Sequence, residues 1–286
     1  MSLIIILLAL LVERVAGFIH PIRDHHWFEH YSQKICEMMR KNAYLSLPLS
    51  LIPVLAVVLV VHVFLAGPTF IGFGWASWIF DLIVLVYCLG NTHLKAQIRE
   101  CYEQIELGNI ESARALLLEH FDVVHEGEIS ASILMKAMYR ASLQRIFSIL
   151  FWFTVLGPVG AVLYRFMQKL SVYEFEETMN KVKTLSSNVT FVLDWIPARL
   201  LALSFCLAGH FMDVFVEWQR TFKVGIKETY QVLYHCGHKA IGGDIESDSV
   251  SQPPHAAVVA QIDEAYHLIC RSLFIWLVAL ALVILF

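Results

Sequence analysis

The sequence predicts an all-α fold: a polytopic integral-membrane helical bundle with two helical cytoplasmic inserts. Three observations predict it. Of 286 residues, 58% are hydrophobic and only 16% charged, with a mean hydropathy of +0.63. An ordinary soluble domain is about 45–50% apolar and about 25% charged. One or two cores in a chain of this size cannot bury so much apolar sequence, so the excess faces lipid. The apolar residues are also gathered into runs of about 20, the length that crosses roughly 30 Å of hydrocarbon. A soluble enzyme, a disordered chain and a disulfide-stapled secreted scaffold are excluded.

The first membrane region covers residues 1–90. Its opening segment, about 3–19, has two readings. Leu3–Val12 is an apolar run stopped by Glu13-Arg14, and apolar sequence resumes through Ile19. Ten residues cross about half a bilayer. The segment either spans with a charged pair inside or enters partway and is covered by protein. It lacks the basic start and the small-residue cleavage site of a signal peptide. Residues 47–66 form a span interrupted by Pro48, Pro53 and His62, and residues 70–90 a span with one carboxylate, Asp81. The Gly67-Pro68 turn makes these two an antiparallel hairpin.

Residues 91–145 read as a soluble helical insert. A helix through His93–Leu107 is broken by Gly108, and Asn109 is placed to cap Ile110–Phe121. Ser130 is placed to cap a third helix, whose apolar residues Ile133, Leu134, Ala137, Ala141 and Leu143 run towards the next span. Residues 146–209 return to the membrane. The span 146–164 is weakened by Gly157-Pro158, and the span 189–209 contains Asp194, Pro197 and Arg199. Residues 210–271 form a second soluble insert, with a linker rich in Gly, Asp and Ser at 242–251 and Pro253-Pro254 opening the last helix. Residues 272–286 are a C-terminal membrane helix. At 1.5 Å per residue it is too short to span unless it starts upstream of Arg271.

With the N-terminus outside, residues 19–46, 91–145 and 210–271 hold 4, 6 and 5 Lys or Arg, and the opposite loops 0 and 4. That asymmetry places both inserts in the cytoplasm. The net charge of -4 comes without a clustered basic face, so no nucleic-acid partner is expected. Six scattered cysteines without a C-x-x-C predict neither a disulfide framework nor a zinc site. Thirteen histidines invite a metal reading. However, His26 and His30 (flanked by His25 and Glu29), like His235 and His238 (bracketing Cys236), supply too few converging ligands. No metal and no cofactor is expected, and no phosphate loop, dinucleotide fingerprint, nucleophile elbow or H-E-x-x-H is present.

The densest chemical signal is Asp194-Trp-Ile-Pro-Ala-Arg199 inside an apolar run. A charge at the centre of a span costs roughly 2.5–3.5 kcal/mol by insertion scales. The two charges are five apart, about 140° around a helix, so each is expected to meet a partner on another helix, with Glu13 and Arg14 as candidates. Two readings stand side by side: a buried polar ligand site between the first and fifth segments, and a structural ion-pair cluster locking two irregular helices. His20 follows the first segment, His210 closes the fifth and Arg165 ends the fourth. The candidate cluster is therefore Glu13, Arg14, His20, Arg165, Asp194, Arg199 and His210, with no residue assigned to catalysis.

Leu150-Phe-Trp-Phe-Thr-Val-Leu-Gly-Pro-Val-Gly-Ala-Val-Leu-Tyr-Arg165 and Val192-Leu-Asp-Trp-Ile-Pro-Ala-Arg-Leu200 carry a resemblance. With Leu7–Arg14 and Leu207-Ala-Gly-His210, they resemble the AmpE family of bacterial inner-membrane proteins linked to control of β-lactamase induction. The same motifs are more distantly similar to the CobD/CbiB proteins of cobalamin synthesis, which join an aminopropanol unit to adenosylcobyric acid as an amide, with ATP. Those proteins carry an A-E-N-x-x-D-type run before the L-F-W. Here Met138–Ser148 reads MYRASLQRIFS, with no carboxylate or asparagine. Magnesium and phosphates are held largely through acidic side chains.

The resemblance thus implies the membrane frame without the reaction. It points to an inner-membrane signalling or accessory protein that modulates β-lactamase induction or a related cell-wall response. Its partners would be the lipid bilayer and a cell-wall-derived small molecule or a membrane protein. The alternative is a CobD/CbiB-type enzyme in which Glu13, His20, Asp194 and Arg199 face one cavity. A small-solute transporter, suggested by broken helices near the midplane, lacks an inverted repeat and ranks last.

Overall fold

A computed structural model describes residues 2–15, 30–32, 34, 43–66, 74–90, 93–123, 129–172, 180–221, 225–243 and 255–285. Among them every regular element is helical. The order is α1 (Ser2–Val15), α2 (Ala43–Ala66), α3 (Gly74–Cys88), α4 (Leu94–Glu106), α5 (Ile110–Phe121) and α6 (Ala131–Ser142). A π-turn, Leu143–Phe147, leads into α7 (Ser148–Val172), followed by α8 (Asn180–Ala208) and α9 (Phe211–Thr221). A 3-10 turn, Ile226–Glu228, then precedes α10 (Thr229–Ala240) and α11 (His255–Leu285). The Gly67-Pro68 turn and Pro253-Pro254 lie outside the described residues.

Among the described residues four helical runs are long and apolar enough to cross a membrane: Pro48–Leu65, Ala131–Val172, Lys181–Ala208 and Val258–Val283. Leu3–Glu13 and Ala76–Cys88 are shorter apolar helices. The chain is an all-α, multi-pass membrane protein. Two of the expected region boundaries, at 145/146 and 271/272, fall inside continuous helices, because a helix continues through polar residues when nothing breaks its backbone. The last helix begins at His255, well upstream of Arg271. It therefore has the length that its apolar end alone lacks.

The chain divides into two compact units, Met1–Gly90 with Ser148–Leu193, and Asn91–Phe147 with Asp194–Phe286. In the first unit α3 packs on α1, α2 and α7, and α2 also packs on α7. Ile5, Ile6, Ala9, Leu51, Leu85 and Phe166 are buried there. The other side of α2 shows Ile52, Val57, Val60 and Val63 outward, a surface suited to lipid rather than water. In the second unit α4 pairs with α5. Helix α6 packs on α4 and α10, α9 packs on α10, and α11 packs on α4 and α6. Lys95 and Asp263, 3.1 Å apart, tie α4 to α11, and Phe147 meets Trp276 edge-on with ring centroids 5.2 Å apart.

Helices α5 and α6 begin after Asn109 and Ser130, but neither side chain caps its helix. Asn109 Nδ2 donates to Gln104 Oε1 at 3.2 Å, and Ser130 Oγ lies 2.8 Å from Ser132 Oγ. The α4–α5 break comes from the backbone instead, with Gly108 at φ +75.

The Gly-Pro-x-Gly stretch in α7 has a steric cause. Gly157 sits at φ 67, ψ -154 and breaks the helix, a conformation open to glycine because it has no Cβ. Pro158 next offers no N–H to the carbonyl four residues back. Three residues beyond the break, a Cβ on Gly160 would collide with the Trp152 carbonyl oxygen and lie 2.6 Å from the Leu156 Cβ. The Trp152 indole in turn donates to the Leu193 carbonyl at 3.2 Å. That carbonyl lies four residues before Pro197, which cannot be its helical donor. A neighbouring side chain satisfying a proline-freed carbonyl is how a spanning helix tolerates proline.

These contacts set two expectations for thermal unfolding in detergent. Gly160→Val should cost about 2 kcal/mol or more, since the chain must shift to accept the branch. Trp152→Phe removes the indole N–H together with the five-membered ring, and should cost about 1 kcal/mol for the hydrogen bond plus the cost of the space left. A wild-type melting temperature for Gly160→Val would show that the close approach relaxes freely.

Candidate functional site

Asp194 lies in α8 with no solvent exposure. Its Oδ2 accepts the Tyr230 hydroxyl at 2.8 Å and Gln144 Nε2 at 3.3 Å. Gln144 Nε2 also donates to the Tyr230 oxygen at 2.7 Å. Three elements thus converge: α8 supplies the carboxylate, α10 the phenol and the π-turn the amide. The donors run in one direction, from amide to phenol to carboxylate. π-turns are rare and concentrate at functional sites, and here the wide turn carries Gln144.

The same face of α6 carries two cations one turn apart. The Arg140 guanidinium lies over the Tyr230 ring, 5.0 Å from its centroid, and Lys136 Nζ over the Tyr234 ring at 4.8 Å. Residues four apart on α6 meet residues four apart on α10, in reversed order, as antiparallel helices require. Burial pushes the Tyr230 hydroxyl well above the usual tyrosine range and the Asp194 charge adds to this, while Arg140 and the Gln144 amide oppose it. Tyr230 is therefore a neutral donor to a buried acceptor.

Arg199 sits one turn and a proline beyond Asp194. It is buried, with its guanidinium over the Trp195 ring at 5.5 Å and its carbonyl accepting the Trp218 indole at 3.0 Å. Burial pushes the neighbouring Cys236 thiol up to about 12. Cys206 and Glu217 reinforce this, and Arg199 and Lys239 oppose it. Tyr139 fills the space between Phe205, 5.4 Å away, and Gly237, where any Cβ would come within 2.6 Å of the tyrosine ring. His238 is buried and stacked on Tyr234.

His210 closes a seam. Its Nδ1 lies 3.1 Å from the Ala240 carbonyl, and because a carbonyl only accepts, Nδ1 carries the proton. Gly209 makes this approach possible, since a Cβ there would meet the Ala240 backbone. The Leu-Ala-Gly-His stretch is therefore a clamp between the ends of α8 and α10.

Of the seven residues expected from sequence, Asp194, Arg199 and His210 belong to the second unit. There Asp194 is joined to Gln144 and Tyr230, while Arg199 stacks on Trp195 and His210 closes the helix ends. Glu13, buried in α1, and Arg165, buried in α7 with Nη1 donating to Gln168 Oε1 at 3.1 Å, belong to the first unit. The Arg14 side chain and His20 lie outside the described residues, as do His25, His26 and Glu29. Among the described residues no three His, Cys, Asp or Glu are grouped to hold a metal ion.

Gln144, Tyr230 and Arg140 were not singled out by sequence. A signal existed for Gln144, which shares a helical face with Ala137, Ala141 and Ser148. A polar side chain in a core register needs a partner. Tyr230 offers no comparable pattern, because its partner is 36 residues away.

Fold and site define a multi-pass helical membrane protein with a buried carboxylate, phenol and amide cluster at the junction of three helical elements. Residues 3–231 match the family described as CobD/Cbib protein, and the chain belongs to that family. It is 40% identical over 68 residues to the cobalamin biosynthesis protein CobD of Chromobacterium violaceum, a match over 23% of this chain and 22% of that one. It is 26% identical over 117 residues to protein AmpE of Shigella flexneri, over 39% of this chain and 41% of that one. The chain thus spans less than half the length of either curated relative. No solved structure matches it. The family is the one the motifs resemble more distantly, and AmpE, which they resemble more closely, is represented by one relative of low identity.

Removing the phenol tests the cluster. Tyr230→Phe should destabilise the protein by about 1–3 kcal/mol, because a buried acceptor loses its best donor. The fold raises the ionisation of Tyr230 above its ordinary 10.0. The stability it adds is therefore fully present below pH 10 and is lost as pH rises through the folded value. The wild-type melting temperature should fall more steeply above that pH than that of Tyr230→Phe. Parallel curves would mean that Tyr230 is not a buried donor.

Proposed function

We propose that this chain is a non-catalytic accessory member of its family, resident in the bacterial inner membrane with both inserts cytoplasmic. It takes up a small ligand or a membrane partner at the Asp194 cluster. Through the helices of the second unit it modulates β-lactamase induction or a related cell-wall response. One observation carries this reading. At the segment just before Leu150-Phe-Trp, the side chain that meets Asp194 is an amide, Gln144, and the ionised neighbours on that helix are cations, Lys136 and Arg140. Transfer from ATP needs carboxylates to hold magnesium. A carboxylate already engaged by a phenol and an amide, beside two cations, suits an anionic ligand such as a carboxylate-bearing muropeptide. The AmpE relative supports the same reading.

A cobalamin-type enzyme is the second reading, favoured by the extent of the family match and by the CobD relative. Thermal stabilisation of the detergent-purified protein separates the two, since a ligand that binds only the folded state raises the melting temperature. Muropeptides should raise it, and Arg140→Gln should abolish the shift. A corrinoid shift, together with restored cobalamin synthesis in cells lacking their own amide-forming enzyme, would overturn the accessory reading.

A further inference from the structure

Helix α9 lies within the expected soluble insert, yet its surface is not that of a solvated helix. Only Gly209 and His210 separate it from the end of α8. Seven residues into α9, Trp218 donates to the carbonyl of Arg199, nine residues before the end of α8, at 3.0 Å. The Trp218 side chain therefore reaches back to α8, which is long and apolar enough to cross the membrane over Lys181–Ala208. Phe211, Met212 and Val216 are 45%, 73% and 48% exposed. Phe215 stacks between Phe211, at 5.4 Å and 11°, and Trp218, at 5.8 Å and 20°. At about 100° per residue, Phe211, Phe215, Met212 and Val216 share one arc of about 140°, in which Gln219 is the one polar residue.

On the polar arc Asp213 and Arg220 are exposed, and Glu217 ties the helix to α10. Glu217 Oε2 is 3.1 Å from Lys239 of α10 and 3.5 Å from Arg220. The apolar arc also continues a surface that already faces outward. Helix α8 exposes Ile196, Leu200 and Leu207, the last just before the turn into α9. A strongly two-faced helix with Phe and Trp on its apolar side, adjoining a spanning helix, has the form of an interfacial helix. Aromatic rings settle at the same depth.

We propose that α9 is a membrane-interface helix that lays Phe211, Met212 and Val216 among the acyl chains of bilayer phospholipid. It then holds the Arg199 end of the Asp194 cluster at the membrane surface through Trp218. With Val214 buried, Glu217 held by α10 and Phe211, Met212 and Val216 outward, α9 presents an apolar face that a lipid neighbour stabilises.

A photo-crosslinking residue settles the neighbour. Benzoylphenylalanine is placed one position at a time at Met212, Val216 and, on the polar arc, Arg220 of the full chain in native membranes. After irradiation, adducts are identified by mass. Phospholipid adducts are expected at positions 212 and 216 and are expected to be lost at 220. Adducts to a second copy of this chain at 212 and 216 would overturn the proposal, as would no lipid adduct in variants that keep the wild-type melting temperature.

Discussion

In hydrocarbon no water completes a broken backbone hydrogen bond, so each irregularity in a spanning helix needs a partner supplied by the protein. This constraint organises the structure around α7 and α8. Pro197 leaves the Leu193 carbonyl without its helical donor, and Trp152 supplies one. Gly157 and Pro158 break α7, and glycine at 160 gives the chain room beyond the break. Three motif residues that could be taken for a site, Trp152, Gly160 and His210, thus have roles in closing and satisfying the backbone.

The same constraint, applied to a charge, shapes the interior of the second unit. A buried carboxylate must be bonded or it is costly. Asp194 is bonded by a phenol and an amide from two other elements, and one of these arrives on a π-turn. A cluster made of one carboxylate, one neutral phenol and one amide resembles a recognition or switch element more than a phosphate-transfer centre. The cations Lys136 and Arg140, each resting on a tyrosine ring, give its edge a positive character. Chain membership in the CobD/Cbib family explains the membrane frame. The residues facing Asp194, a phenol and an amide, are what support the accessory reading proposed above.

Much of this was legible in the sequence, for reasons that differ by residue. The α5 and α6 starts could be placed at Asn109 and Ser130 because breakers and polar residues act locally, although neither side chain caps as its type suggests. The α11 start was legible as well, since Pro253-Pro254 marks it and the helix begins at His255. The α8 start could not be placed, because Asn180–Asn188 is polar enough to hide a helix that packing continues. Asp194 was conspicuous because a lone charge in an apolar run is locally anomalous. Gln144 and Tyr230 were not, since an ordinary glutamine or tyrosine becomes significant only through what it faces.

The sequence by itself determined the class of protein: hydropathy and run length depend only on composition along the chain, and lipid is the one solvent that suits them. It also determined that Asp194 and Arg199 needed partners, since the cost of a charge in hydrocarbon is local. Only the tertiary structure decided who those partners are and which motif residues serve packing. Gln144 lies 50 residues from Asp194 and Tyr230 lies 36 from it. Contacts at such separations arise from how helices cross, and helix crossing is set by side-chain packing that no local pattern encodes.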